Sequence, residues 1–167
     1  MVYLLDANTL ITAKNDYYQM ERVPEFWDWL LHHAEQGSVK VPPEIFNEIR
    51  KGSDDLADWV KQAHVESALL LPEEVDPDLL QQILDEGYAP DLTDVELEKI
   101  GMDPFLIAYA LPDTVNLMVI SGEVSAPKKQ RANRKVPDVC KSLGIPCKNI
   151  FTLVTNLNFS TSWNAGT

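Results

Sequence analysis

The sequence predicts an α/β fold in which a parallel β-sheet lies between layers of helices, three layers in all. Two stretches carry most of that expectation. Val2-Tyr3-Leu4-Leu5 is an unbroken apolar run that ends on Asp6, and Asn116-Leu117-Met118-Val119-Ile120 is a second one that ends on Ser121-Gly122-Glu123. Strands buried on both faces read as continuous runs of this kind rather than as an alternation. Helical patterns fill the chain between and after them, and strand–helix alternation implies parallel strands.

After the first strand, Thr9 to Lys14 reads as a short helix and Asn15 to Gln19 as a polar loop. Pro24 suits the first turn of a second helix. Phe26, Trp27, Trp29, Leu30 and Leu31 spread around most of that helix, so more than one neighbour must bury it. Core is the main reading, and a dimer or partner surface is the other. His32 and His33 lie at its end, where the helix dipole favours imidazolium. Gly37 stops the helix, and Val39-Lys40-Val41 is a short strand.

Pro42-Pro43 ends that strand and opens a helix. Glu44 and Glu48 share one face of it and Ile45 and Ile49 another. A solvated acidic face is the plain reading, with Glu48 paired to Lys51 for only a few tenths of a kcal/mol. Gly52-Ser53 breaks this helix before another from Asp54 to Ala63. Leu69-Leu70-Leu71 is either a strand or a helix end. Asp78 to Asp85 is a helix with Leu79, Leu80, Ile83 and Leu84 inward, and Gly87 to Asp91 is a turn. Thr93-Asp94-Val95-Glu96 has the form of a capping box. Asp103 suits an N-cap with Pro104 at the first helical position, and Pro112 closes that helix. Val136-Pro137-Asp138 opens a further helix ending near Gly144, Ile145-Pro146-Cys147 is a last strand, and Phe151 to Leu157 a last helix. The tail from Ser160 to Thr167 reads as loose apart from Trp163.

The 167 residues suit one domain with a sizeable core. With 45% hydrophobic and 24% charged residues, the chain is neither disordered nor fibrous in composition. No segment approaches the roughly 18 uninterrupted apolar residues of a membrane helix. The N-terminus lacks a basic flank and Asp6 interrupts its apolar run, so the sequence predicts a cytoplasmic protein. Cys140 and Cys147 have the spacing of neither a zinc site nor a redox pair and read as core residues.

The net charge of −12 argues at first against a nucleic-acid partner. The distribution says more. Residues 73–98 carry ten acids and no Lys or Arg, while Lys128, Lys129, Arg131, Arg134 and Lys135 place five of the 14 basic residues within eight positions. The acidic stretch reads as an insertion folded onto the domain, either as a solvated face or as a lid that repels RNA. The basic loop is either solvated or a backbone contact for nucleic acid. In the latter case, neutralising Lys128, Lys129 and Arg131 weakens RNA binding and flattens its salt dependence.

Asp6 is either a helix N-cap or a metal ligand. The second reading gains from three later acids, since Glu123 ends another strand, Asp103 begins the helix that feeds it, and Glu48 lies on a helix reached from a third. Ligands in open α/β sheets bind beyond the carboxyl ends of the strands. Four carboxylates gathered there repel one another unless a cation neutralises them. Mg²⁺, bound through few carboxylates and several waters, suits such a set, and the absence of His and Cys does not suit structural zinc. Phosphodiester hydrolysis is the chemistry that set supports. Asn8 and Ser121 are placed to support the acids by hydrogen bonds.

Asp6-Ala7-Asn8, Glu48 within Glu44-Ile45-Phe46-Asn47-Glu48-Ile49, and Asp103-Pro104-Phe105-Leu106-Ile107-Ala108 resemble the acidic motifs of PIN-domain nucleases. Trp27-Asp28-Trp29-Leu30-Leu31 and Val136-Pro137-Asp138-Val139-Cys140 resemble a bacterial, toxin-like PIN subfamily formerly of unknown function. The resemblance covers most of the chain. It implies a PIN-like fold over 1–167 and a Mg²⁺- or Mn²⁺-dependent endoribonuclease that leaves a 5′-phosphate. It also implies the toxin role of a type II toxin–antitoxin pair, with RNA as substrate, a cognate antitoxin protein as partner, and a homodimer left open. Asp6, Glu48, Asp103 and Glu123 are then the catalytic metal ligands. The family usually has Asp at the fourth position, so Glu123 departs from it and Asp138 is the reserve, its other reading being a helix N-cap. A catalytically weak module binding RNA or protein is the alternative. A phosphotransferase of the haloacid-dehalogenase type fits poorly, because Asn8 stands where that chemistry wants a second Asp.

Overall fold

The computed structural model of the chain describes residues 1–166, so the tail reading lies within it except for Thr167. Val2–Leu5 forms β1, and the chain turns at Asp6 into α1, Ala7–Thr12, two residues earlier than the periodicity suggested. α1 runs on as a wide π-helical turn over Ala13–Tyr17. α2 is Pro24–Glu35, stopped by Gly37 at φ +78°. β2 is Val39–Lys40, and α3, Pro43–Arg50, opens where the prolines predicted.

The expected helix from Asp54 to Ala63 is two shorter ones, α4 (Asp55–Val60) and α5 (Ala63–Leu69). Both readings of Leu69–Leu71 hold in part, since α5 ends at Leu69 and Leu70 makes one parallel bridge to Val41. α6 is Pro77–Gln82, prolonged by a π-helical turn over Ile83–Tyr88 that replaces the start of the expected turn. α7 is Asp94–Ile100, with Thr93 accepting from the amide of Glu96 as one half of the expected capping box, while the Glu96 carboxylate accepts from Arg131. α8 (Asp103–Ala110), β3 (Leu117–Ile120), α9 (Val136–Ser142), β4 (Cys147–Lys148) and α10 (Ile150–Asn156) complete the chain.

The four strands form one all-parallel sheet in the order β2-β1-β3-β4, flanked by helices. The chain leaves β1 toward β2, then crosses back over β1 to lay down β3 on its other side. The strand order therefore reverses between β1 and β3, where a crevice opens at the carboxyl end of an α/β sheet. Tyr3, Leu4, Leu5, Val119 and Ile120 are buried in the sheet.

Phe26, Trp27, Trp29 and Leu30 of α2 are buried, which makes that helix core. Tyr18 stacks on Phe26 at 4.2 Å, and Trp27 meets Trp59 edge-on at 5.1 Å. The same packing overturns the expectation for His33. Burial pushes its pKa down and the neighbouring His32 adds to that, against a hydrogen bond with the backbone of Leu157. Cys140 is buried and Cys147 half-buried, both as free thiols. Trp163 anchors the tail through its indole N–H to the carbonyl of Glu25 at 3.1 Å. Among the described residues, no helix is long and apolar enough to cross a membrane.

Candidate functional site

Asp6 is the first residue beyond β1, and the pairing of Leu5 with Ile120 sets it beside Ser121 beyond β3. Its amide donates to the carbonyl of Ile120 at 2.9 Å, and the hydroxyl of Thr9 reaches the same carbonyl at 3.0 Å. These bonds bind the start of α1 to the end of β3. Asp6 occupies the N-cap position of α1, yet its side chain closes no cap hydrogen bond. It accepts instead from Ser121 Oγ at 2.9 Å. At 2% exposure it is the most deeply buried acid of the chain. Burial raises its pKa and the charge of Glu123 adds to this, against the hydroxyl of Ser121 and the amides of Asn8 and Ala7.

Asp103 does not cap α8 as predicted. Met102 holds the N-cap, and Asp103 and Pro104 are the first two helical residues. The Asp103 carboxyl is pushed up to about 7, first by burial and then by the charges of Asp6, Glu123 and Glu48. Glu48, on α3, is raised by partial burial of its carboxyl and then by Asp6, while Lys51 pulls it the other way. Four acids from four elements thus feel one another over the crevice between β1 and β3.

Glu123 belongs to this group but is already engaged. Its Oε2 accepts from the amide of Val136 at 2.7 Å, which closes the first turn of α9, and Lys135 Nζ lies 3.6 Å from Oε1. Ser121 Oγ also accepts from the amide of Glu123 at 3.2 Å. Asp138, the reserve acid, stands elsewhere in function. Lys135 holds the N-cap of α9, and Asp138 in its first turn accepts from Ser125 Oγ at 2.5 Å and from the amide of Ala126 at 2.7 Å. The Ser125 hydroxyl, ahead of the other contacts, keeps its pKa below the usual value. It pins the loop after β3 and does not join the acids. Asn8 is exposed on the first turn of α1.

Among the described residues, no three Asp, Glu, His or Cys side chains stand close enough together to hold a metal ion as they are. The donor set still fits a hard divalent ion in kind, with oxygen ligands only, mutually repelling and graded from buried Asp6 through half-buried Asp103 and Glu123 to exposed Glu48. A closed protein cage is not what Mg²⁺ requires, since it keeps several waters.

The five cations of the basic loop differ from one another. Lys128 and Lys129 are exposed and have no acidic partner among the described residues. Arg131 is taken up by the acidic stretch, donating to Asp91 at 2.7 Å and to Glu96 at 3.1 Å. Arg134 donates to the carbonyls of Gly87 and Asp138, and Lys135 faces Glu123. The acidic insertion is therefore tied to the loop rather than spread as a free face, with Lys99 Nζ donating to Asn133 Oδ1 at 2.5 Å.

Sequence reasoning missed Tyr88 and Lys99. Both line a cavity of about 180 Å³ that Asp103, Glu123, Lys129 and Lys135 also border. Tyr88 is buried, and its hydroxyl has no hydrogen-bond partner among the described residues. The one signal in the sequence was an aromatic residue following Gly87 at the end of an acidic helix.

A family model described as a domain of unknown function (DUF4411) matches residues 3–161. No curated protein and no solved structure matches the chain.

Proposed function

The chain belongs to the DUF4411 family, a membership that leaves its chemistry to be argued from the site, and we propose that it is a Mg²⁺- or Mn²⁺-dependent endoribonuclease of the PIN type. The observation that carries this reading is the electrostatic influence among Asp6, Glu48, Asp103 and Glu123 near the crevice between β1 and β3, three of them with pKa values raised by burial and by charges within the group. Such a set is unfavourable without a cation. Asp6, Glu48 and Asp103 would hold the ion, and Glu123 would contribute once released from Val136 and Lys135. When bound, the ion would activate water and offset charge on the phosphorus oxygens.

The side chains around it have definite tasks. Ser121 orients the Asp6 carboxylate, and Thr9 fixes the backbone from which Asp6 projects. Lys128 and Lys129 are free to meet backbone phosphates. The toxin role, with a cognate antitoxin as partner in the cytoplasm, rests on the resemblance of the acidic motifs alone.

A second reading has one observation in its favour. Both Glu123 oxygens are engaged, and the acids are not drawn together into a ready site, as suits a catalytically weak module that binds RNA or protein. Purified protein incubated with generic RNA, with Mn²⁺ or with EDTA, separates the two. The nuclease reading expects metal-dependent fragments, a loss of at least about 100-fold on Asp6→Asn, and growth arrest in cells expressing wild type but not the variant. Intact RNA with Mn²⁺ would leave the binding module.

A further inference from the structure

We propose that Tyr88, Lys99 and Lys129 form a phosphate-binding subsite beside the acids, taking one backbone phosphate of the RNA next to the linkage to be cut. The proposal rests on the nuclease reading for the role of the neighbouring acids, but its own observations are separate.

The cavity of about 180 Å³ is lined by both acids and cations. Asp103 and Glu123 border it, and so do Lys99, Lys129, Arg134 and Lys135, with Lys135 Nζ 3.6 Å from Glu123 Oε1. Tyr88 borders it as well, only 8% exposed and with its buried hydroxyl lacking a partner among the described residues. Buried hydroxyls are nearly always hydrogen-bonded, and one left unpaired costs free energy. Such a group, on a residue that borders a cavity, is a donor available to an acceptor bound there.

The available donors define the acceptor. Lys99 spends one N–H on Asn133 and keeps two, and Lys129 keeps all three. Together with the phenol O–H they make a donor-rich wall, which suits a tetrahedral, oxygen-rich anion. Asp103 and Glu123 border the same cavity, but Lys135 offsets Glu123 at 3.6 Å and the lining cations outnumber the two acids, so an anion can enter without a metal. A cavity of this volume admits one phosphate and its ester oxygens. Lys99 and Lys129 also line a larger concavity of about 690 Å³ together with Lys128 and Gln130, so the strand has a cationic path outward.

Local structure explains why Tyr88 is there. It ends the π-helical turn Ile83–Tyr88, and turns of this kind recur at functional sites. Gly87 lets that turn touch α9, since a Cβ at this position would lie 2.7 Å from Val139 Cγ1. The acidic insertion is thereby one wall of the substrate path, and Arg131, bonded to Asp91 and Glu96, holds it in place.

The test is binding of a fluorescently labelled single-stranded RNA to the full chain in EDTA, over a series of salt concentrations. Because the hydroxyl has no protein partner, Tyr88→Phe should fold with an unchanged or higher Tm yet bind about 5–20-fold more weakly. Lys99→Gln and Lys129→Gln should each lower the salt slope by about 0.7, and Lys61→Gln, remote from the cavity, should not. Wild-type affinity and slope in all three site variants would overturn the subsite, as would a wild type that binds no RNA. Inorganic phosphate raising the Tm without RNA binding would overturn the polynucleotide assignment. Since binding is read without metal, a wild type that binds as described but never cleaves RNA with Mn²⁺ supports the subsite and removes only the nuclease reading.

Discussion

Ser121 donates its hydroxyl to Asp6 across 2.9 Å, joining the ends of the two central strands at the point where the sheet changes direction. Both residues are nearly inaccessible, at 3% and 2% exposure, so solvent cannot replace the bond. Asp6 is kept at the crevice by β1 and kept in orientation by β3.

Ser121→Ala should therefore act through Asp6. The metal-free protein should lose roughly 1–2 kcal/mol, and Mn²⁺ affinity measured by calorimetry should fall about 10–100-fold, as for other partners that orient a ligand. Unchanged affinity would mean that Asp6 is not a ligand or needs no orientation.

Asp103 makes metal-free stability depend on pH. Its carboxyl titrates near 7 in the folded chain, against an ordinary value of 3.8. The folded state thus holds its proton more tightly than the unfolded state. The associated stability is complete below about 3.8 and is lost as pH rises through about 7. Asp103→Asn removes the dependence. The variant should match wild type near pH 4 and exceed it near pH 8 by on the order of 2 kcal/mol, allowing for a partly exposed carboxyl, or about 4–8 °C in Tm. Adding Mn²⁺ at pH 8 should raise the Tm of wild type and not of the variant. A difference between the two proteins that stays flat with pH would refute the repulsion.

What the sequence disclosed follows from how local each signal is. β1 and β3 are buried on both faces and make unbroken apolar runs, and Asp6 and Glu123 follow directly from where those runs stop. Pro24, Pro43 and Pro104 mark helix starts through a fixed φ and a missing N–H. By contrast α5 begins after Gln62 with no side-chain cap, so no residue announced it. Partners distant in sequence were invisible for another reason. Arg131 and Lys99 reach residues 34 to 40 positions away, and charge counting sees the cations without seeing who neutralises them. Glu123 was identified as an acid at a strand end, but its bond to the amide of Val136 depends on where α9 begins in space. Tyr88 depends on the approach of α9 to Gly87, which no spacing rule records.

Arg131 combines a clamp with a strained backbone, at φ +52°. Arg131→Ala should abolish the contacts to Asp91 and Glu96 while keeping the left-handed backbone, whereas Arg131→Gly abolishes the contacts and relieves the backbone. Both should speed amide exchange across α7 and residues 128–133, and the glycine variant should melt higher than the alanine one. Since the pairs are exposed, high salt should bring wild type toward the variants. Wild-type exchange in both variants would show that the insertion is held by other contacts.

Gly87→Ala tests the joint that positions Tyr88. The new methyl would sit 2.7 Å from Val139 Cγ1 and 3.5 Å from Leu143 Cδ1. Val139 is fully buried on α9 and has little room to give. Overpacking of this kind costs about 1–3 kcal/mol, or roughly 2–12 °C in Tm for a chain of this length. Val139→Ala alone leaves a cavity and is also destabilising. In the double variant the added methyl moves into the space that valine gave up, so the two losses should sum to more than the double loses. A strictly additive double would mean that the turn and α9 do not touch at this point, and that Tyr88 is held at the cavity by something other than this close approach.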